Sequence, residues 1–171
     1  MLNACEGGYI CGDITQEQTK KLLYDQLEFW KAKEHLSRVD VVIATPPCQG
    51  MSIANQKKTD TEIVRNSLVV ESIKIIQKIN PRFFVFENVP AFMKTICTDL
   101  DGTNKSIADA IERNLGQEYS YAARIINFKN YGACSSRQRT VVIGGSKDYA
   151  DSISPLEVYP DLLPERSLRE V

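Results

Sequence analysis

The sequence predicts an α/β domain. Short apolar runs rich in β-branched and aromatic residues alternate with longer stretches whose apolar positions recur at helical spacing. Two of those runs, VDVVIA at 39–44 and FFVF at 83–86, give way at once to proline-bearing polar turns, as strands of an open sheet do at their carboxyl ends. At 171 residues, with 43% hydrophobic and 25% charged, the chain is large enough to bury a core of its own.

Taken in order, residues 9–11 read as a short strand stopped by Gly12-Asp13. Thr15 with Gln18 makes a capping-box signature, and Leu23, Leu27 and Trp30 then predict a helix to about Leu36. The run at 39–44 reads as a strand buried on both faces, ended by Pro46-Pro47. Residues 51–60 are polar and read as a loop. Leu68, Ser72, Ile75, Ile76 and Ile79 trace a helix face closed by Asn80-Pro81. FFVF is a second buried strand, with Glu87-Asn88-Val89-Pro90 at its end. Ile107, Ile111 and Leu115 predict another helix terminated by Gly116. Residues 119–127 and 140–144 read as two strands whose connection is too short for a helical crossover, so they are expected to be antiparallel neighbours. From 147 to 171 no periodicity persists, and Pro155, Pro160 and Pro164 interrupt the chain. The expected division is a domain over 1–146 and a linker over 147–171.

Composition narrows the function. The net charge of −1 gives no whole-molecule attraction to nucleic acid or anionic lipid, so any such contact must be local. No apolar run reaches the roughly 18 residues of a membrane span, and residues 1–19 lack a basic-then-apolar secretory pattern; a cytoplasmic location is expected. The five cysteines are widely spaced and odd in number, which favours reduced thiols over a disulfide framework. With one histidine, His35, and no Cys-x-x-Cys, no metal site is expected.

Ligands of open α/β sheets gather at the carboxyl ends of strands. Three segments bring chemistry there. In Thr45-Pro46-Pro47-Cys48-Gln49-Gly50-Met51-Ser52 a thiol follows a strand on a stiff proline base. Its thiolate would be a strong nucleophile, and a buried structural cysteine is the alternative. In Phe86-Glu87-Asn88-Val89 a carboxylate follows an apolar strand. Partial burial would raise its pKa and let it donate a proton; a Glu–Arg ion pair or a helix cap are the alternatives. In Arg137-Gln138-Arg139 two arginines at i and i+2 share one face of an extended chain. They could clamp a carbonyl oxygen, a carboxylate or a phosphate, or be plain solvated charge.

Together the three segments, in this order, resemble the cytosine-5 DNA methyltransferases of bacterial modification type. Pro46-Pro47-Cys48-Gln49-Gly50-Met51-Ser52 is similar to the family's Pro-Pro-Cys-Gln-x-x-Ser nucleophile motif, and Glu87-Asn88-Val89 to its Glu-Asn-Val motif. Arg137-x-Arg139 is similar to the last part of Gln-x-Arg-x-Arg, Gly12-Asp13-Ile14 to the motif after the third strand, and Arg65-Asn66-Ser67-Leu68 to a helix-start motif. These cover residues 9 to 145. Cys134-Ser135 stands where the family usually has Pro-Gln, and the family's opening Phe-x-Gly-x-Gly loop and its ribose-holding acid have no counterpart.

The resemblance implies a Rossmann-like, class I S-adenosylmethionine-dependent fold, incomplete, without its first strands and its target-recognition domain. It implies a DNA cytosine-5 methyltransferase in which Cys48 adds covalently to a flipped cytosine, Glu87 holds the ring's N3 and amino group, Arg139 grips O2, and Arg137 supports the nucleophile loop. Asn88 would fix that loop by hydrogen bonds; Pro47, Gln49 and Ser52 would sit on the substrate and DNA side. Asp13, Ile14 and Leu68 would hold the adenine of S-adenosylmethionine. Double-stranded DNA is the implied partner, with a complementary polypeptide if the enzyme is split, and a bacterial, nucleoid-associated location follows. This span alone is expected to be inactive. The alternatives are a transfer-RNA cytosine-5 methyltransferase and a non-catalytic fragment or partner subunit.

Overall fold

The computed structural model describes residues 9–47, 68–150 and 153–164, divided between two compact units, 1–39 and 40–171. Cys48, Gln49 and Ser52, the expected loop at 51–60, and the helix-start motif at 65–67 lie outside the described residues.

In the first unit the chain forms one helix, α1 (Glu17–Lys33). The expected strand at 9–11 is a single bridging residue, Ile10. The predicted capping box at Thr15 is not formed: the Thr15 hydroxyl and backbone N–H both donate to Asp13 Oδ1, at 2.8 and 2.9 Å. With its hydroxyl held by that Asx turn, Thr15 is not free to cap, and α1 starts after Gln16, which makes no side-chain cap. The helix stops at Lys33, short of the expected Leu36, where His35 takes a left-handed φ of 55°.

The second unit is built on a four-stranded sheet ordered β1 (Val41–Ala44), β2 (Phe83–Asn88), β6 (Gln138–Ser146), β5 (Tyr119–Asn127). β1 and β2 are parallel, and α2 (Leu68–Ile79) lies between them in the chain, as a parallel crossover requires. β6 runs antiparallel to both β2 and β5, so the expected antiparallel pairing holds, with each strand at or beyond its expected ends. A two-stranded ribbon, β3 (Ile96–Thr98) with β4 (Asn104–Ser106), leads into α3 (Ile107–Leu115). A single turn of helix, α4 (Lys147–Ala150), follows β6.

Register explains which face holds the core. Phe84 lies opposite Gly144, Phe86 opposite Val142 and Asn88 opposite Thr140, so these six share one face of the sheet. Against it pack Val69, Ile73 and Ile76 of α2 and Ile107, Ile111 and Leu115 of α3, all fully buried. The buried face of α2 is therefore turned by one residue from the expected Leu68–Ser72–Ile79 stripe, and Leu68 is only half-buried. The ring of Phe84 occupies the space where a Cβ on Gly144 would stand, 2.1 Å from its nearest ring carbon, which is why this rung needs glycine. Tyr119 stacks edge-on to Phe84 at 5.2 Å and donates its hydroxyl to the Pro81 carbonyl at 2.8 Å, locking the turn from α2 into β2.

The other face is covered unevenly. Residues 153–164 cross it over β5 and β6, where buried Tyr159 places its hydroxyl 3.0 Å from the Ala122 carbonyl and 2.6 Å from that of Val141. Over β1 it is open: Val41 and Ile43 are 45% and 69% exposed. The expectation that this strand is buried on both faces is thus corrected: Val42 and Ala44 pack on the core, and the alternate pair faces solvent. Gly116 ends α3 as expected, but with a right-handed φ of −64° and no left-handed cap.

Candidate active site

At the carboxyl ends of β1 and β2 the sheet leaves a cavity of about 180 Å³. That is smaller than the ~300–1,000 Å³ of sites that enclose a drug-sized ligand. Its wall comes from three stretches distant in sequence: Thr45 to Pro47 after β1, Glu87 to Val89 at the end of β2, and Arg137 with Arg139 at the start of β6.

Register brings the last two together. Glu87 lies opposite Val141, so Arg139, two residues back on β6, is its diagonal neighbour on the same face. The Arg139 Nε lies 3.0 Å from Glu87 Oε1, with the arginine side chain 18% and the glutamate 35% exposed. Arg139 Nη1 also donates to the Gln138 carbonyl at 2.7 Å, which fixes the plane of the guanidinium. The ion-pair alternative for Glu87 is therefore what the structure holds, and it is compatible with a site, because both partners border the cavity. Arg137 is exposed at the rim, its N–H donating to the Ser135 hydroxyl at 3.3 Å.

Asn88 faces away from the pair, 4% exposed on the core side. Its Nδ2 donates to the Pro46 carbonyl at 2.8 Å and its Oδ1 accepts from the Val89 N–H at 2.9 Å. One amide thus ties the turn after β1 to the end of β2. Pro47 is exposed beside the cavity, and Cys48 is the next residue in the chain. Thr140, not singled out by the sequence, is 2% exposed opposite Asn88 and donates its hydroxyl to the Pro90 carbonyl at 3.2 Å. Its contact depends on strand register, which no local pattern discloses.

The residues expected at the cofactor fall in different units, Asp13 and Ile14 in the first and Leu68 in the second. Asp13 is exposed, and the backbone and hydroxyl hydrogen bonds from Thr15 hold its carboxyl below the usual range. Both reach Oδ1, leaving Oδ2 as an acceptor for an amino group. That donor set fits the exocyclic amine of an adenine, with half-buried Ile14 as apolar company.

A family model for C-5 cytosine-specific DNA methylases matches residues 2–167. The chain belongs to that family. Among curated proteins it is 34% identical over 116 residues to type II methyltransferase M.DdeI of Desulfomicrobium norvegicum, covering 68% of this chain and 27% of the relative. To M.HpaII of Haemophilus parainfluenzae it is 27% identical over 164 residues, covering 92% and 41%. The chain spans about a quarter to a third of the first relatives matched, at 30%, 27% and 26% of their lengths. A solved structure of a prophage-encoded E. coli protein described as a DNA modification methyltransferase superposes with a TM-score of 0.57 and 25% identity over 82% of this chain and 36% of that one. The mixed sheet with its parallel β1–β2 pair is thus part of the Rossmann-like methyltransferase fold of this family. No helix among the described residues is long and apolar enough to cross a membrane.

Proposed function

We propose that this chain carries the base-handling part of a DNA (cytosine-5) methyltransferase, with Cys48 as nucleophile and Glu87 and Arg139 as the groups that hold the target ring. The observation that carries the reading is the Glu87–Arg139 pair on the wall of a cavity that Pro47, the residue before Cys48, also lines. A carboxylate accepts from the amino group and protonated N3 of cytosine, and a guanidinium donates to its O2. The same two groups stabilise the charge that develops when the ring is attacked.

In this reading the Cys48 thiolate adds to carbon 6, and the electron pair of the 5,6 double bond makes carbon 5 nucleophilic. S-adenosylmethionine, when bound, supplies an electrophilic methyl group, with Asp13, Ile14 and Leu68 on its adenine. Once carbon 5 carries the methyl, solvent takes the carbon 5 proton, the electrons of that C–H bond re-form the 5,6 double bond, and the C–S bond breaks to release the thiolate, restoring both ring and enzyme. Arg137 supports the nucleophile loop, Asn88 sets its base through Pro46, and Pro47, Gln49 and Ser52 lie on the DNA side. The target base is hidden in a duplex and must be flipped out to reach the cavity. Double-stranded DNA is the substrate, met at the nucleoid, and modification alongside a restriction enzyme is the setting that the relatives' type II names support. A target-reading domain is expected to complete the enzyme, and a complementary polypeptide would serve if the enzyme is split.

The test is transfer of a labelled methyl group from S-adenosylmethionine to mixed bacterial DNA, with transfer RNA in parallel. In the full-length protein, DNA labelling that disappears in Cys48→Ser, with an unchanged melting temperature, is the expected result; the 171-residue span alone is expected to label neither nucleic acid. Labelling of transfer RNA alone would move the substrate assignment to RNA, and labelling that survives Cys48→Ser would end the covalent mechanism.

A further inference from the structure

We propose that Thr140 is a positioning residue for the Glu87–Arg139 pair: its buried hydroxyl extends the β2–β6 pairing one step past the last rung and so keeps the two facing groups in register. The base-binding reading above is needed only for the kinetic consequence, since the pairing itself can be observed without activity.

Three observations lead there. The β2–β6 ladder ends at the Asn88–Thr140 rung, and beyond it the chain turns away through Val89 and Pro90. Strand ends are where a sheet frays first, because the terminal residues lack a next rung to hold them. Glu87 and Arg139 lie one residue from that rung on either strand, on the cavity face; β6 stays paired with β5 through Ile126–Arg139 and Asn127–Gln138, so the side that lacks a next rung is β2. Their alignment therefore depends on how well the rung is held.

The rung is held on the opposite, buried face. Asn88 reaches out to the Pro46 carbonyl, anchoring β2 to the turn after β1. Thr140 reaches across to the Pro90 carbonyl at 3.2 Å, anchoring β6 to the chain as it leaves β2. Both side chains are nearly inaccessible, at 4% and 2% exposure, where water does not compete for the bond. They follow directly on the apolar rungs Phe84–Gly144 and Phe86–Val142 of the same face. A valine at 140 would satisfy that packing as well as threonine does, so packing alone does not call for a hydroxyl. What the hydroxyl adds is a bond to the segment that would otherwise leave the sheet at Asn88.

Thr140→Val keeps shape and removes the bond; Thr140→Ser keeps the bond and removes the methyl. The first readout is the Arg139 Nε–H resonance in the 15N-labelled 171-residue chain, assigned by its loss in Arg139→Lys. Thr140→Val is expected to move that resonance toward the free-guanidinium position and to speed its exchange with water about tenfold or more, while Thr140→Ser leaves both near wild type. The second readout is kinetic, in the full-length protein: kcat for methyl transfer falls about ten- to a hundredfold in Thr140→Val with little change in KM for DNA, and recovers in Thr140→Ser. An unmoved resonance in Thr140→Val overturns the proposal, as does an equal shift in both variants. If Thr140→Val fails to fold, Thr140→Ala takes its place; failure of both with a folded serine variant makes the hydroxyl a stability group and likewise overturns it. Absence of methyl transfer in the full-length wild type counts against the functional reading, and the resonance still decides the role of Thr140.

Discussion

Glu87 and Arg139 are joined to each other in the free protein, and this bears on what their substitution should do. The pair is partly exposed, with side chains 35% and 18% accessible, and pairs of that kind contribute at most about 1 kcal/mol to folding. Its geometry matters more than its charge. Arg139 uses Nε on the carboxylate and Nη1 on the Gln138 carbonyl, a fork in one plane that a lysine ammonium does not reproduce. Arg139→Lys is therefore expected to lower methyl transfer by about a hundredfold while shifting the unfolding free energy by less than about 1 kcal/mol. Urea unfolding and single-turnover transfer on the same preparation check both halves. A loss of stability matching the loss of activity would make the pair structural. Both residues were legible in the sequence because they belong to short motifs of distinctive composition. That they touch was legible only as an alternative, since the contact is diagonal across two strands and is set by register.

Among the elements, those with a long apolar period were readable and those stabilised by polar contacts were not. α2, α3, β2 and β5 carry the periodicities that the core demands, and each stands close to where the sequence puts it. The β3–β4 ribbon was missed because its strands are three residues long and β4, Asn-Lys-Ser, is wholly polar. The signal that could have found it is Asp101-Gly102, a tight-turn pair, with Gly102 at a φ of 77°. Charge holds this ribbon together: Lys105 lies 2.9 Å from buried Asp99 and 3.1 Å from Asp101, and Arg113 of α3 lies 2.9 Å from Asp101. Asp101 accepts from the hydroxyl and N–H of Thr103, and these bonds, reinforced by Lys105, push its carboxyl well below the usual range. A depressed carboxylate stabilises the fold at every pH above its unfolded value near 4, and that contribution fades as pH falls toward the folded value. Asp101→Asn keeps an oxygen for Thr103 but loses the charge that faces Lys105 and Arg113. Its melting temperature should lie below wild type at pH 7, with the gap closing as the pH drops below about 4. Thermal melts of both proteins from pH 7 to pH 3 test this; a gap that stays constant across the series would show that the charge on Asp101 contributes nothing.

At the scale of the whole second unit, the sheet has one finished face and one half-finished face, and the difference predicts where substitutions should be felt. The finished face is sealed by α2 and α3 over Phe84, Phe86 and Val142. The other is closed over β5 and β6 by residues 153–164, through Tyr159 and through the Leu163 N–H donating to the Asn130 carbonyl at 2.8 Å. Arg124 lies over the Tyr159 ring, 4.8 Å from its centroid, and burial pushes the tyrosine hydroxyl's pKa up, so it stays a neutral donor. Over β1, Ile43 is 69% exposed, and no described residue of the second unit packs on it. Tyr159→Phe removes the clasp's donor while keeping its ring, and should cost about 1–3 kcal/mol of unfolding free energy and open residues 153–164 to proteolysis. Ile43→Thr, on an apolar residue of a central-looking sequence run, should stay within about 0.5 kcal/mol of wild type. The run VDVVIA reads as a strand covered on both sides, and from the sequence alone the ranking of these two variants would be reversed. Denaturant unfolding of the pair decides between the two orders: a costly Ile43→Thr with a silent Tyr159→Phe would mean that the sheet's open face in this chain is β5–β6 and not β1.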